Sequence, residues 1–327
     1  MYFESTPADF TPVRDGLLFD FSCEDQSDVE AVIIDDSTNA EVERLQIKNV
    51  EYGTIDIAPY IAKPTSFRPI VFGESRLQPI DTRSYHVNLY HLGDTVLQCS
   101  SASVRVSSNG YFSDELPFLT TTMGVHRVIS AGEFDNIGIY SSPATRIAVK
   151  ITSDVGDEIF LESNSATGAF QLVFAANDLS ANATAAKLEI FYNDEEYLAE
   201  FDYIIQPRCT TGMRLAWRTV EGNIEQYTFP VIAQGAAQAT RNDTSTKDGT
   251  TQVLHSLLVK QLHLISDFEP RSTLDALAEI VVASEVWVVY PNSYRTSIVD
   301  VALQYDITNT IGRIEIDIVS ERKEGCV

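Results

Sequence analysis

The sequence of 327 residues is long enough for two or three domains, each with its own hydrophobic core. Hydrophobic residues make up 44% of it and charged residues 21%, which excludes wholesale disorder, collagen-like repeats and disulfide-rich miniprotein scaffolds. The 47 acidic residues outnumber the 23 basic ones and give a formal net charge of -24. Such an excess of negative charge argues against a broad basic surface that grips nucleic acid or anionic lipid.

The N-terminal residues and the cysteines indicate a cytoplasmic protein. Residues 1–10 contain neither a basic region nor the apolar stretch of a secretory signal, and no apolar run approaches the ~20 residues of a membrane-spanning helix. We therefore expect no contact with a membrane. Four cysteines, Cys23, Cys99, Cys209 and Cys326, are scattered without a C-x-x-C pair, so we expect them to be reduced and structural.

Alternation of apolar and polar residues with a period of two runs through most of the chain and is typical of strands with one buried face. It predicts an all-β protein of tandem antiparallel β-sandwich modules. Residues 1–72 are predicted to form a small N-terminal module, and residues 73–207 a larger β-sandwich. Within the second module, residues 155–157 and 193–196 are predicted to be hairpin tips, because Gly, Asn and Asp tolerate the backbone angles of such turns.

Residues 208–327 are predicted to form a C-terminal β domain with one short helix, at about residues 272–284. The apolar stripe of this helix ends at Val281. Before the helix, residues 233–251 contain Ala, Thr, Gly, Asn and Asp but no large apolar residue. Such a segment cannot bury enough surface to offset its ordering entropy, so we expect a flexible arm, which includes Arg241 and is ordered by a neighbouring copy.

The negative charge is unevenly distributed among the three predicted modules. Residues 1–72 carry a net charge of -9, residues 73–207 carry -11, and residues 208–327 carry -4. One interpretation is that the excess only solvates exposed faces. The other is that the third module makes the permanent contacts, because the cores of interfaces are depleted of charge.

The sequence contains no motif that predicts catalysis or a cofactor. A nucleophile elbow, a P-loop, a dinucleotide fingerprint, a zinc protease motif and an EF-hand are all absent from it. A carboxylate pair for glycoside hydrolysis could be chosen from almost any two of the many acids, so it ranks third among the functions considered. Calcium binding at Asp154, Asp157 and Glu158 is an alternative, but the prediction is no metal and no enzyme. The five histidines are expected to be structural.

Aromatic residues are concentrated in the third module. Trp217, Tyr227 and Phe229 are predicted to stack across one hairpin that turns at Gly222, and Trp287 follows on a later strand. Two interpretations are open for them: packing in the core, or an exposed platform for a sugar.

Two parts of the third module resemble a known family. The hairpin of residues 213–217 and 222–229, with Trp before a Gly turn and an aromatic pair after it, and the helix of residues 277–280 running into residues 283–287, are similar to tail-associated structural proteins of tailed bacteriophages. These include proteins of crAss-like and related phages of gut anaerobes. The resemblance covers about the last 110 residues. It implies a ring or adaptor of the virion tail without enzymatic activity.

The function expected from this resemblance is that of a structural subunit of a phage tail, either a tail hub, a ring or a neck-to-tail connector. The chain would assemble in the host cytoplasm into a homo-oligomeric ring, contact other tail or neck proteins, and let DNA pass without specific binding. The predicted oligomer contacts are Trp217, Tyr227, Phe229, Arg241 and Trp287.

A second function class remains open. The chain could be an Ig-like surface adhesin or a carbohydrate-binding protein, whose leader would lie upstream of this sequence. Glycan binding through Trp217 or Trp287 would favour that alternative.

Overall fold

The computed structural model describes the backbone of most of the chain, and the counts below refer to these residues. They are 1–13, 16–61, 68–70, 72–80, 82–107, 117–141, 145–163, 168–193, 196–207, 212–219, 222–245, 247–248, 251–290, 294–305 and 311–324.

Twenty-four strands and one α-helix make up the described structure. The first twelve strands are β1 (Tyr2–Ser5), β2 (Thr11–Pro12), β3 (Leu18–Asp35), β4 (Ala40–Asp56), β5 (Arg76–Pro79), β6 (Arg83–His91), β7 (Leu97–Ser100), β8 (Val104–Ser107), β9 (Phe118–Leu119), β10 (His126–Ser130), β11 (Phe134–Tyr140) and β12 (Ile147–Ser153). The other elements are β13 (Glu158–Glu162), β14 (Ala169–Ala175), β15 (Ala185–Tyr192), β16 (Glu196–Gln206), β17 (Met213–Arg218), β18 (Ile224–Phe229), β19 (Val231–Ser245), β20 (Thr251–Ile265), β21 (Glu269–Pro270), α1 (Arg271–Ala278), β22 (Val286–Tyr290), β23 (Tyr294–Tyr305) and β24 (Ile311–Glu324).

The first module is built on a seven-stranded sheet. Its order is β1-β3-β6-β8-β2, with β4 paired to β3 and β7 paired to β6. The strands β3 and β4, of 18 and 17 residues, form one long antiparallel hairpin. Alternate residues of β3 and β6 point into a core that contains Phe19, Phe21, Ile33, Tyr85 and Leu89, all buried. The period-two pattern of the sequence is therefore the pattern of burial.

The first and second modules are interleaved along the chain. The chain leaves the first sheet to form β5, which pairs with β14 of the second module, and then returns to pair β6 with β3. A boundary between residues 72 and 73 therefore divides the first sheet, which continues to Ser107. The prolines that favour an extended linker gave no indication that the chain returns, because pairing of β6 with β3 depends on contacts distant in sequence.

The second module is a β-sandwich of two sheets. One has the order β10-β16-β15-β12-β13 and the other the order β5-β14-β11-β9. Their inner faces share one core, in which Ile137, Leu172 and Ile190 are fully or almost fully buried. Positive φ angles at Gly156, after β12, and Asn193, after β15, confirm both predicted hairpin tips. One departure from the antiparallel pattern in this sandwich is β10, which pairs in parallel with β16.

The third module contains an eight-stranded sheet of order β18-β17-β22-β23-β24-β20-β19, with β21 paired to β24. Strand β23 pairs with β22 over its first residues and with β24 over the rest, so it joins the β18-β17-β22 part of the sheet to the β24-β20-β19 part. Residues from both parts of the sheet and from α1 share one core. The helix is shorter than predicted, because a 3-10 turn over Glu279–Val281 follows Ala278, and Val281 is exposed.

The predicted flexible arm is wrong for residues 233–245. They belong to β19, which pairs with β20 in register from Val231 opposite Ile265 to Ser245 opposite Thr251. The predicted flexibility of this segment rested only on its lack of large apolar side chains to bury. Backbone hydrogen bonds to an adjacent strand order a segment without large apolar residues of its own, and β20 is in turn held by β24.

The structure confirms the predicted fold class. The chain is all-β, with tandem β-sandwich modules and one short α-helix, α1, in the C-terminal module of the described residues. In the part of the chain that the structure describes, no helix is long and apolar enough to cross a lipid bilayer.

Candidate assembly site and the buried network behind it

The three aromatic residues of the β17–β18 hairpin lie inside the third module. Trp217 and Phe229 have no exposed surface and Tyr227 is 8% exposed. The Tyr227 ring lies 5.0 Å from the Phe229 ring in an edge-to-face arrangement, and its hydroxyl donates a 2.7 Å hydrogen bond to Glu269 Oε1. Core packing, one of the two interpretations left open, is therefore correct.

This burial corrects the predicted oligomer contact and the predicted sugar platform at these residues. A second copy or a sugar cannot touch a side chain that has no exposed surface, which applies to Trp217 and Phe229 and, in practice, to Tyr227. Trp287 is half-buried, and the Arg218 guanidinium lies 5.6 Å from its ring. Arg241 lies on β19 opposite Ser256, in the hairpin that replaces the predicted arm.

Among the strands that the structure describes, β19 is the edge of the eight-stranded sheet and pairs with β20 on one side only. Its 15 residues correspond to a length of about 50 Å at 3.3 Å per residue. The opposite edge of the sheet, β18, is almost entirely buried. An unpaired row of N–H and C=O groups can template pairing with another chain, so β19 is the edge of this sheet that offers an assembly contact.

Exposed apolar side chains lie at the start of β19, after β20 and at the start of β24. Val231 and Ile232 begin β19 and are 47% and 38% exposed, and Phe268, which follows β20, is 69% exposed. Ile311, opposite Pro270 in the β21–β24 pair, is also exposed. We call these four residues the base patch. A cluster of exposed apolar residues beside an open strand edge is typical of an interaction surface.

At the β17–β18 end of the sheet, opposite the β19 edge, a buried polar network joins the second and third modules. Arg127 Nη1 donates a 2.7 Å hydrogen bond to Asp135 Oδ2, which also accepts a 2.7 Å bond from the Tyr203 hydroxyl. Arg127 Nη2 hydrogen-bonds the Thr121 hydroxyl and lies 3.5 Å from Glu225 Oε2 of the third module. Arg127 thereby faces one carboxylate from each module.

A second arginine of the network reaches in the opposite direction. Arg214, on β17, lies with Nη1 3.3 Å from Glu133 Oε2 and donates from Nη2 to the Phe134 carbonyl oxygen at 2.8 Å. The Thr228 hydroxyl accepts from Arg214 Nη1 and donates to Glu133 Oε2, both at 2.9 Å. The side chains of Arg214 and Glu133 are 3% and 5% exposed. Buried ion pairs of this kind require complete hydrogen bonding to be tolerated.

The network holds three carboxylates against two guanidinium groups. Burial raises the pKa of the Glu225 carboxyl above its usual range, although the nearby Arg127 charge opposes the shift. Burial also lowers the pKa of Arg127, but the attraction of Asp135, Tyr203 and Glu225 outweighs it and the net shift is upward. Burial and the adjacent Asp135 raise the pKa of Tyr203 well above its ordinary value.

This network is suited to holding two modules together. Its five charged side chains are at most 5% exposed, so a substrate cannot reach them in this conformation. The sequence pattern did not predict that these charged residues are buried, because a charge in a strand is usually solvated. A signal was present, since Arg214 and Glu225 interrupt a hairpin whose other residues are mostly apolar.

The acidic turn considered for calcium has a different role. Asp157 accepts hydrogen bonds from the Ser153 and Ser180 hydroxyls, at 2.8 and 2.7 Å, and Asp154 accepts one from the Thr184 hydroxyl at 2.6 Å. The backbone N–H of Ser180, together with the two hydroxyl bonds, lowers the pKa of Asp157, and the Thr184 hydroxyl bond lowers that of Asp154. Within the described ranges, no group of three His, Cys, Asp or Glu side chains is arranged to hold a metal ion.

Comparisons with known proteins give distant structural matches. No family model and no curated protein matches the sequence. The tetra-tandem repeat in the extending region of a large adhesion protein is 9% identical, over 97% of this chain and 80% of that one, with a TM-score of 0.25. A structure of three titin immunoglobulin domains is 12% identical, over 96% and 87% of the two chains, with a TM-score of 0.18. At these TM-scores, neither match carries an argument about function.

Proposed function

We propose that this chain is a structural, non-enzymatic subunit of a bacteriophage tail, and that copies of it assemble through strand β19. The observation that carries the proposal is the geometry of β19, a 15-residue edge strand that is hydrogen-bonded on one side only within the described part of the chain. The base patch of Val231, Ile232, Phe268 and Ile311 supplies apolar surface beside that edge. Pairing of β19 with a second chain satisfies its free backbone groups and buries this patch.

A ring requires that β19 meet a different surface of the next copy. Pairing of β19 with β19 has two-fold symmetry and stops at a dimer, whereas a head-to-tail contact closes into a ring. The first sheet has an open edge of matching length, β4, whose partner among the described strands is β3 alone. We therefore assign β4 of the neighbouring copy as the partner of β19. This pairing fuses the first sheet of one subunit with the third module of the next.

The distribution of charge fits this arrangement. Residues 208–327 carry a net charge of -4, against -20 on the rest of the chain. The least charged module would supply β19, one side of the contact, and the acidic faces that stay free would line a passage where repulsion keeps DNA from sticking. The contacts of Arg127 with Glu225 and of Arg214 with Glu133 hold the third module in a fixed orientation against the second, as a ring subunit requires.

The proposal is tested by shortening the hairpin at both strands. Removing residues 240–257 and joining residues 239 and 258 through an Asn-Gly turn keeps the register, because Ala239 lies opposite Leu258. The core residues that the structure describes for the third module lie outside the deleted segment. Electron microscopy of the wild type should show rings, and the folded variant should remain monomeric. Rings formed equally by the variant would contradict the proposal.

The position in a phage tail has its own test. Neighbouring genes that encode a portal, a terminase or a tape-measure protein would support it. An upstream signal sequence in the full gene would instead favour the adhesin alternative.

A further inference from the structure

The outer face of the five-stranded sheet carries a groove between two aromatic side chains. The floor is Ala148 on β12, and the walls are Phe160 on β13 and Phe191 on β15. Lys150 and Glu162 also line the groove. The groove has a volume of about 320 Å³, at the lower end of the range for sites that bind small molecules.

The sheet itself sets the spacing of this groove. Ala148 is the cross-strand partner of both Glu162 and Phe191, so the three lie in one row across the sheet. Phe160 lies opposite Lys150, one row along the sheet from Phe191, so the two rings lie diagonally across β12 with the small Ala148 side chain beside them. The strands that carry the two rings are about 10 Å apart at the usual strand spacing. Phe160 is 66% exposed, although exposing the apolar surface of a phenylalanine to water is unfavourable.

The polar groups at the groove are held in place. Lys150 Nζ lies 3.3 Å from Glu158 Oε1 and 5.5 Å from the centre of the Phe160 ring, and Arg146 Nη2 lies 3.8 Å from Glu162 Oε2. The Lys150 ammonium group offers donors and the Glu162 carboxylate offers acceptors beside the apolar side chains that line the groove. A ligand with an apolar face and hydroxyl groups at its rim matches this combination.

We propose that this groove binds a neutral sugar ring of an oligosaccharide or polysaccharide. The aromatic walls pack against the C–H face of a pyranose, and Lys150 and Glu162 hydrogen-bond its hydroxyls. The charge of the chain selects against anionic sugars, because Lys150 already faces Glu158 and the net charge is -24. The site is separate from β19, so it does not depend on the proposed assembly.

The test is native affinity electrophoresis of the full chain in gels that contain xylan, mannan, barley β-glucan or dextran. At least one of these neutral polysaccharides should slow the wild type. Phe160→Ala and Phe191→Ala should each weaken the interaction about tenfold or more, and Ala148→Leu should do the same by filling the floor. Phe72→Ala is the matched control, because Phe72 is 74% exposed and lies outside the groove.

Each other outcome overturns the proposal. It fails if none of the four polysaccharides slows the wild type, or if retardation survives both phenylalanine substitutions. It also fails if only dextran sulfate or a lysine-rich peptide binds, because the groove would then recognise charge. Melting temperatures equal to that of the wild type show that lost binding in a variant is not lost folding.

Discussion

Arg214 of the third module lies 3.3 Å from Glu133 of the second, and both side chains are almost completely buried. This ion pair and the pair of Arg127 with Glu225 connect the second and third modules through buried charges. The proposed ring subunit needs such a connection to keep the two modules in a fixed orientation.

Arg214→Met should destabilise the chain by about 3 to 5 kcal/mol, because Glu133 is left buried without its positive partner. The measurement is urea unfolding followed by intrinsic fluorescence. Lys187→Met is the control, since Lys187 pairs with Glu200 at 2.9 Å on the surface and its loss should change little. An equal effect of the two substitutions would show that the buried pair has no special role.

Glu225→Gln should stabilise the protein at neutral pH, and the gain should shrink as the pH falls. The folded state raises the pKa of Glu225, so it binds the proton more tightly than the unfolded state does. The wild type therefore loses stability as the pH rises from about 4.5 through the raised pKa. The difference in unfolding free energy between variant and wild type, measured between pH 5 and pH 8, should grow with pH.

A control of opposite sign is Glu200→Gln. Its hydrogen bond with Lys187 lowers the pKa of Glu200, so this group stabilises the folded state above its unfolded pKa and the contribution is lost as the pH falls. A pH-independent difference for Glu225→Gln would contradict the assignment of its raised pKa to burial.

Two phenylalanines of the third module should respond in opposite ways to replacement by alanine. Phe229→Ala should cost about 3 to 5 kcal/mol of stability, because Phe229 is fully buried in the core. Phe268→Ala should leave stability unchanged and weaken assembly, because Phe268 is 69% exposed in the base patch. Thermal melts and light scattering on both variants measure the two effects. Assembly that is unaffected by Phe268→Ala would remove the base patch from the contact.

Gly53→Ala should destabilise the first module by about 1 to 3 kcal/mol. A Cβ atom at Gly53 would lie 2.5 Å from the buried ring of Phe21, its cross-strand partner. Gly124→Ala is the matched control, since a Cβ there meets nothing within 4 Å. Comparable melting temperatures for the two variants would refute the close approach of β4 to Phe21.

The sequence predicted the features that depend on neighbouring residues. The fold class and the turns at Gly156 and Asn193 follow from local pattern and agree with the structure. Of the stack predicted across the hairpin, the Tyr227–Phe229 contact forms within one strand, whereas Trp217 lies opposite Glu225. Features that depend on distant partners were missed. Strand β19 is ordered by its pairing with β20, and the buried Glu225 carboxylate lies 3.5 Å from Arg127 of the second module.

Hydrogen exchange is the most direct test of assembly through the open edge of β19. In a monomeric preparation, the β19 amides that face away from β20 have no partner among the described strands and should exchange rapidly. In assembled wild-type protein, the same amides and those on the free edge of β4 should become strongly protected. Assembled particles in which these amides exchange as fast as in the monomer would contradict the account.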